Sequence, residues 1–317
     1  MIKNAARNLK HYLFLQKKSY ENTREARKVY NRANFSTHYK NLENTFNFPN
    51  IPKVRGIWGI AMVKNEVDII SHTIHHLFEQ GVDHVLIADN GSTDGTYELL
   101  HSLSKSLPIT VGIDKEPAYY QSEKMTWLAH AAIHAGAQWI IPFDADEFWY
   151  GIGGNLREVL ANLKNPIQLA RFHNIFPSPD GKYNLDTQPH WDSKVAFKAW
   201  KNSVISMGNH DVLRPGIKEE NNIGILHLPW RSKEQLRAKI INGAKALKLT
   251  DLPEDKGFHW RNNASLSEQE LDNLWLSLIM GKEISYNISW KPHGQLKTID
   301  RIPDSYSTII TTINTDS

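Results

Sequence analysis

The chain has 317 residues, enough for one large domain or two ordinary ones, and 40% of them are hydrophobic, enough for a sizeable core. With 37 basic and 34 acidic residues the net charge is only +3, which does not indicate a nucleic-acid-binding field. There is no cysteine, so disulfides and thiolate metal sites are excluded.

Residues 1–52 are basic, polar and aromatic, as in "KHYLFLQKKSYENTREARKVYNRANF", and predict one or two helices that form an arm outside the main fold. Peripheral membrane contact is the functional alternative to simple packing. "FNFPNIPKVRG" reads as a linker, its two prolines marking extended chain. The opening "MIKNAARNLKHYLFLQKK" lacks the apolar core of a signal peptide, and no run of about 20 apolar residues occurs. The expectation is a cytoplasmic protein that at most touches the inner face of the membrane.

From Gly56 the texture changes. "IWGIAMV" (57–63) is a continuous apolar run, as in a strand covered on both faces. In "NEVDIISHTIHHLFEQG", Ile70, Ile74, Leu77 and Phe78 recur at helical spacing, with Gly81 at the C-cap. "HVLIAD" (84–89) predicts a second strand, "NGSTDGT" a turn and "YELLHSLSKSL" a second helix. "PITVGI" is a third strand, "SEKMTWLAHAAIHAGA" a third helix with Ser122 as its N-cap, and "WIIPF" a fourth strand. This β-α-β-α-β-α-β order with short connections predicts an α/β fold with a mostly parallel sheet and helices on both faces. Ligands of such sheets bind beyond the carboxyl ends of the strands. Those ends carry Lys64-Asn65-Glu66, Asp89-Asn90 and Asp144-Ala145-Asp146.

The second half is less regular. "NLREVLANL" predicts a short helix, and "IQLARFHNIF", "KVAFKAW" and "IGILHLPW" predict strands. "SKEQLRAKIINGAKALKL" is a basic helix, and "SEQELDNLWLSLIMG" is a helix whose Ser267 and Glu270 match a capping box. "SYSTIITTINTDS" at the end predicts loose chain.

The acids after "WIIPF" raise the central question. In extended chain, Asp144 and Asp146 point to one side. Two carboxylates on one side repel unless one is protonated or a cation lies between them. Carboxylate oxygens suit Mg²⁺ or Mn²⁺, ions that keep open positions for substrate phosphates.

"MVKNEVDIISHTIHHLFEQGVDHVLIADNGSTDGT" followed by "FDADEFW" resembles the family 2-like glycosyltransferases of GT-A fold, in the bacterial branch with these three blocks. The strong likeness covers residues 57–150. A fainter one, through "ILHLPWRSKEQLRAKIINGAKAL", runs to about residue 250. The implied organisation is an arm and linker over 1–52, a transferase domain over 53–250 and a helical extension over 251–317. Within the transferase domain, 53–150 would be the nucleotide-binding half and 151–250 the acceptor half.

The resemblance implies a nucleotide-sugar donor, usually UDP-linked, a divalent metal, inverting transfer and a glycan-type acceptor. A non-catalytic carbohydrate- or nucleotide-binding protein on a decayed transferase fold is the alternative. Carried onto this chain, Asn65 and Glu66 would lie near the ribose and base, and Asp89 would hydrogen-bond the nucleoside. Asp94 would shape the turn, as an N-cap, or touch the nucleotide. Asp144 and Asp146 match the D-x-D of the family, with Asp146 the metal ligand and Asp144 reaching the metal or the ribose. His227 is either a third ligand or a buried structural histidine, with His210 its rival. Lys124 and Arg231 would contact phosphates. The base that takes the acceptor proton is read as Asp211, Asp192 or Glu147, since no clear E-D pair of the kind usual in such enzymes is read before a helix.

Overall fold

The computed structural model describes residues 2–253, 257–282 and 284–299. Two helices open the chain, α1 (Ile2–Tyr30) and α2 (Ala33–Thr45), followed by the two-residue strand β1 (Phe46–Asn47). The alternating half then runs β2 (Gly56–Val63), α3 (Ile70–Glu79), β3 (His84–Asp89), α4 (Thr96–Leu103), β4 (Ile109–Asp114), α5 (Gln121–His134) and β5 (Ala137–Pro142). The second half comprises β6 (Glu147–Gly151), α6 (Leu156–Asn162), β7 (Ile167–Pro177), β8 (Tyr183–Asp186), β9 (Ser193–Lys198), β10 (Val204–Ile205), β11 (Val212–Leu213), β12 (Lys218–His227), α7 (Lys233–Lys248), α8 (Phe258–Asn263), α9 (Glu268–Ile279) and β13 (Leu296–Ile299).

The main sheet is ordered β1-β4-β3-β2-β5-β9-β7-β12-β6. Strands β4, β3, β2 and β5 are mutually parallel, as the alternation of strand and helix dictates. Beyond β5 the pairing becomes mixed: β9 is antiparallel to both β5 and β7, β12 is parallel to β7, and β6 is antiparallel to β12. This is the α/β, GT-A-like fold.

The period of two along each strand sends alternate residues to opposite faces. On β2, Ile57, Ala61 and Val63 pack with α3, α4 and α6 through Ile70, Ile74, Leu77, Leu100 and Leu160. Trp58 and Ile60 face the other way, onto Met125, Leu128, Ala129 and Ala132 of α5. Both faces of β3 are buried in the same manner, which explains its unbroken apolar run.

Three expectations need correction. The N-terminal segment is not wholly outside the core: Leu42 of α2 and Phe46 of β1 are buried in the α5-side core, and β1 pairs antiparallel with β4 at the sheet edge. The "linker" therefore begins with a sheet strand. α5 starts at Gln121 without a side-chain cap, and the Ser122 hydroxyl instead donates to the carbonyl of Ile205 at 2.6 Å. The 251–317 segment is not purely helical, since β13 pairs with β8. Its α9 opens with the expected Ser267–Glu270 capping box and buries Leu271, Leu274 and Leu278 with Phe176, Trp230 and Ile240. The "SYSTIITTINTDS" stretch lies outside the described residues. Among the described residues, no helix is long and apolar enough to cross a membrane.

Candidate active site

The carboxyl ends of the parallel strands bring three polar clusters to one edge. At the end of β3, Asp89 is buried; its Oδ1 accepts from the Ser92 N–H at 3.0 Å and its Oδ2 has no partner. A buried carboxylate oxygen left unpaired is costly.

The turn after β3 is locked to the turn after β2. Asn65, in the left-handed region at φ 58°, donates its N–H to Ser92 Oγ (2.9 Å), and its Oδ1 accepts from Thr93 N–H (2.8 Å). Asp94 accepts from the Thr96 N–H and hydroxyl on one oxygen and from the Val67 N–H on the other. Burial would raise its pKa, but those hydrogen bonds outweigh it and hold the carboxyl below its usual range. Both oxygens being engaged, Asp94 shapes the turn. Its neighbour Gly95, at φ 97°, takes a conformation that a side chain would disfavour.

Lys124 is not placed for phosphate contact. Its ammonium is fully buried, 2.6 Å from Asp114 Oδ2, and also donates to the Glu116 carbonyl at 2.6 Å. Asn90 donates to the same Asp114 oxygen at 2.8 Å. A lone buried carboxylate at the end of β4 needs this cation.

The D-x-D segment departs from extended geometry. β5 ends at Pro142, and a turn at Ala145 and Asp146 intervenes before β6. The period-of-two argument therefore fails, and the two carboxylates diverge. Asp144 accepts from Lys194 Nζ (2.7 Å) and Asn209 Nδ2 (3.2 Å). Glu147 is buried, with Oε1 at 2.8 Å from Lys194 Nζ and Oε2 accepting from Asp144 N–H and Trp149 Nε1. Burial pushes Glu147 up to about 7 against the pull of Lys194. With both oxygens held inside the fold, it braces the motif and is not placed as an acceptor base.

Asp146 is 2% exposed and faces a different set. Its Oδ2 pairs with Lys239 Nζ, with Arg231 Nη1 at 3.7 Å, and its Oδ1 lies 3.7 Å from His227 Nε2. Burial alone would raise its pKa; the positive charges of Lys239 first, and of Arg231, outweigh that and hold it well below the usual carboxylate range.

Register explains how His227 arrives there. It ends β12, directly beside Asn174 on β7 and Glu147 on β6. Its Nδ1 hydrogen-bonds Asn174 Oδ1 at 2.8 Å. With the amide oxygen toward the ring, Nδ1 must be the donor, which leaves the Nε2 lone pair facing Asp146. Burial pushes this imidazole down to about 3, so it is neutral across ordinary pH.

A neutral nitrogen acceptor and a carboxylate oxygen facing each other repel, and a cation between them relieves the repulsion. Ligands each about 2.0–2.2 Å from one divalent ion stand roughly 3–4 Å apart, so the Asp146–His227 pair fits one. Asp144 is not in that set. Among the described residues, no group of three or more His, Asp or Glu side chains gathers to hold a metal, so further ligands would have to come from phosphate or water.

Glu66, expected near the nucleoside, belongs instead to this cluster: it pairs with Arg231 Nη2, and burial pushes it up to about 7. Arg231 also grips Asp68 at 2.7 and 2.9 Å, while its Nη1 is buried without a hydrogen-bond partner. That free donor beside Asp146 is positioned for an anionic oxygen.

In the second half of the chain, Asp192 Oδ2 lies 3.2 Å from His210 Nδ1, which also meets the Ser193 carbonyl at 2.9 Å. His210 follows Asn209, the residue that holds Asp144, and burial and Lys194 lower its pKa. His210 thus sits on the Asp144 side and away from the Asp146–His227 pair. Asp211 is tied to Lys218 at 2.6 Å and to the Val212 N–H. The exposed ring of Trp191 (82%) precedes Asp192 and adjoins His190 at 5.0 Å between centroids. An open depression of about 510 Å³, lined by Arg231, Ser232 and Trp275 among others, flanks the site on the α7 side and contains none of the D-x-D acids.

Sequence reasoning missed Lys194, Lys239, Asn174 and Asn209. Lys194 had a signal: it opens the apolar strand "KVAFK", and a lysine buried there demands an acid. Lys239 lies eight residues after Arg231, two helical turns on, within the stretch "RSKEQLRAK".

The parallel sheet thus brings a buried Asp89 with one unpaired carboxylate oxygen and the D-x-D segment to one carboxyl edge. Residues 60–166 match the model of Glycosyl transferase family 2, so this stretch is similar to a glycosyltransferase domain of the kind that draws on nucleotide-sugar donors. No curated protein matches the sequence. Among solved structures, S. aureus TarS 1-349 overlaps with 11% identity, 71% of this chain and 79% of that one, at a TM-score of 0.37. The mannosyltransferase PcManGT from Pyrobaculum calidifontis, in complex with GDP-Man and Mn²⁺, overlaps with 14% identity, 84% of this chain and 86% of that one, also at 0.37.

Proposed function

We propose that the protein moves a sugar from a UDP-linked donor to a hydroxyl of a glycan-type acceptor, with inversion, using Mn²⁺ or Mg²⁺ held by Asp146 and His227. The observation that carries this reading is the pair of acceptors, Asp146 Oδ1 and His227 Nε2, facing each other at 3.7 Å on the sheet edge that also bears Asp89.

In this reading the unpaired Oδ2 of Asp89 accepts from the nucleoside, while Asn65 and Asp94 hold the turn that forms its floor. Arg231 Nη1 and Lys239 Nζ meet the diphosphate. The bound metal would neutralise charge on the departing diphosphate. Asp192, hydrogen-bonded to His210, takes the acceptor proton, and the exposed Trp191 ring beside it offers a stacking face for a sugar. For α1, the exposed Leu13, Phe14 and Tyr20 among Lys10, Lys17 and Lys18 support contact with an anionic membrane surface.

A thermal-shift comparison of UDP, GDP, CDP and uridine at equal concentration, each with Mn²⁺ and with EDTA, tests the reading, because stabilisation by a ligand rises with the logarithm of its affinity. UDP with Mn²⁺ should raise the unfolding temperature most, and uridine should give a smaller shift that EDTA does not remove. A larger shift with GDP or CDP would overturn the donor assignment. An equal UDP shift in EDTA would replace the metal by Lys239 and Arg231, whose charges already face Asp146.

A further inference from the structure

The acid that the proposed reading gives to the metal already carries a protein cation. Lys239 reaches from the second turn of α7 to Asp146 Oδ2, and its ammonium is also 5.8 Å from the Trp230 ring. The groups that face this ammonium are Asp146, Glu66, Arg231 and Trp230. Asp146 is 2% exposed, so solvent screens these charges poorly. Arg231 adds a second positive group 3.7 Å from the same carboxylate oxygen.

We propose, resting on the metal reading above, that Lys239 competes with the divalent cation for Asp146 until a diphosphate arrives, so that metal and nucleotide diphosphate bind cooperatively. Without a diphosphate, a divalent ion at Asp146 Oδ1 and His227 Nε2 sits next to two positive side chains, and their repulsion weakens its hold. A diphosphate brings the negative charge that Lys239 and the free Nη1 of Arg231 can bind, which releases Asp146 to the metal. Such coupling between two ligands is reciprocal: the metal strengthens nucleotide binding by the same factor as the nucleotide strengthens metal binding.

The test is Mn²⁺ affinity without and with saturating UDP, read by electron paramagnetic resonance of free Mn²⁺, in the unaltered protein and in Lys239→Met, Lys239→Gln and Lys239→Arg. Gln keeps a hydrogen bond to Asp146 without the charge, and so protects the measurement if Met does not fold. The proposal predicts that Met and Gln each tighten Mn²⁺ binding in the absence of nucleotide about tenfold, within the usual range of coupling factors. They should reduce the gain from UDP, and Arg should restore the unaltered behaviour. If Met and Gln bind Mn²⁺ alone no better than the unaltered protein, while that protein still takes up Mn²⁺ with UDP, the competition is wrong and the metal reading stands. If the unaltered protein takes up no Mn²⁺ even with UDP, both are wrong.

Discussion

Asn174 accepts a hydrogen bond from Nδ1 of His227 at 2.8 Å and thereby turns the other ring nitrogen toward Asp146. Parallel register between β7 and β12 puts the two residues side by side, so the orientation is built into the sheet. Partners of this kind typically change metal affinity by about 10–100-fold when removed. Asn174→Ala should lose that much of the Mn²⁺-dependent part of UDP affinity and retain the metal-independent part. Calorimetric titration with and without Mn²⁺ checks this, and an unchanged Mn²⁺-dependent part would show that the ring orientation does not matter.

Lys124 should matter for folding and not for the nucleotide. Its pairing with Asp114 is fully buried, and breaking a buried pair by removing one partner costs about 3–5 kcal/mol. Lys124→Met should lower the urea midpoint accordingly. UDP affinity, measured where the variant is still folded, should stay within about twofold, since no surface of Lys124 reaches ligand space. A variant of normal stability and weak UDP binding would restore the phosphate role.

The N-terminal segment can be divided experimentally. Leu42 and Phe46 fill the core on the α5 side, whereas most residues of α1 from Gln16 to Tyr20 are exposed. A chain that begins at residue 52 should be insoluble or melt several degrees lower, and Leu42→Ala in the full chain should cost about 2–5 kcal/mol. Unfolding midpoints decide it. A chain from residue 52 as stable as the full protein would mean that α2 and β1 are dispensable.

What was legible in the sequence follows from which signals are local. β2, β3 and the helices between them announce themselves because a strand buried on both faces is apolar throughout and a helix on it is apolar every third or fourth residue. β6 did not, because "EFWYG" follows the acids without a break and reads as the tail of the motif. The turn at Ala145 and Asp146 is what separates strand from strand. The pairing of Asp144 with Lys194 and of Asp146 with Lys239 spans 50 and 93 residues, and no spacing rule reaches that far. Asn174 and His227 looked unrelated until β7 and β12 lay together. Glu66 was assigned to the nucleoside by analogy, and the guanidinium of Arg231 draws it toward the D-x-D instead.

Two histidines away from the site set a pH dependence. Burial pushes His76 and His84 each down to about 4; His76 bonds the Trp149 carbonyl and His84 the Thr110 hydroxyl. In the unfolded chain they titrate near 6.5. Between about 6.5 and 4 the unfolded state therefore binds more protons at these two positions than the folded state does, and their contribution to stability falls as pH falls. Above about 6.5 their contribution is fully present. His84→Gln should flatten the slope of unfolding free energy against pH in that window, as followed by urea titrations at pH 7, 6 and 5. An unaltered slope would mean that His84 titrates normally in the fold.

The proposed function requires Asp146 to hold a divalent cation through which the donor diphosphate binds. The most direct measurement is calorimetry of UDP against the unaltered protein and Asp146→Asn, each with Mn²⁺ and with EDTA, after circular dichroism has shown the variant folded. Mn²⁺ should tighten UDP binding to the unaltered protein at least tenfold, consistent with strong coupling between two ligands, and Asp146→Asn should abolish this gain. A folded Asp146→Asn protein that retains the full Mn²⁺ gain would contradict it.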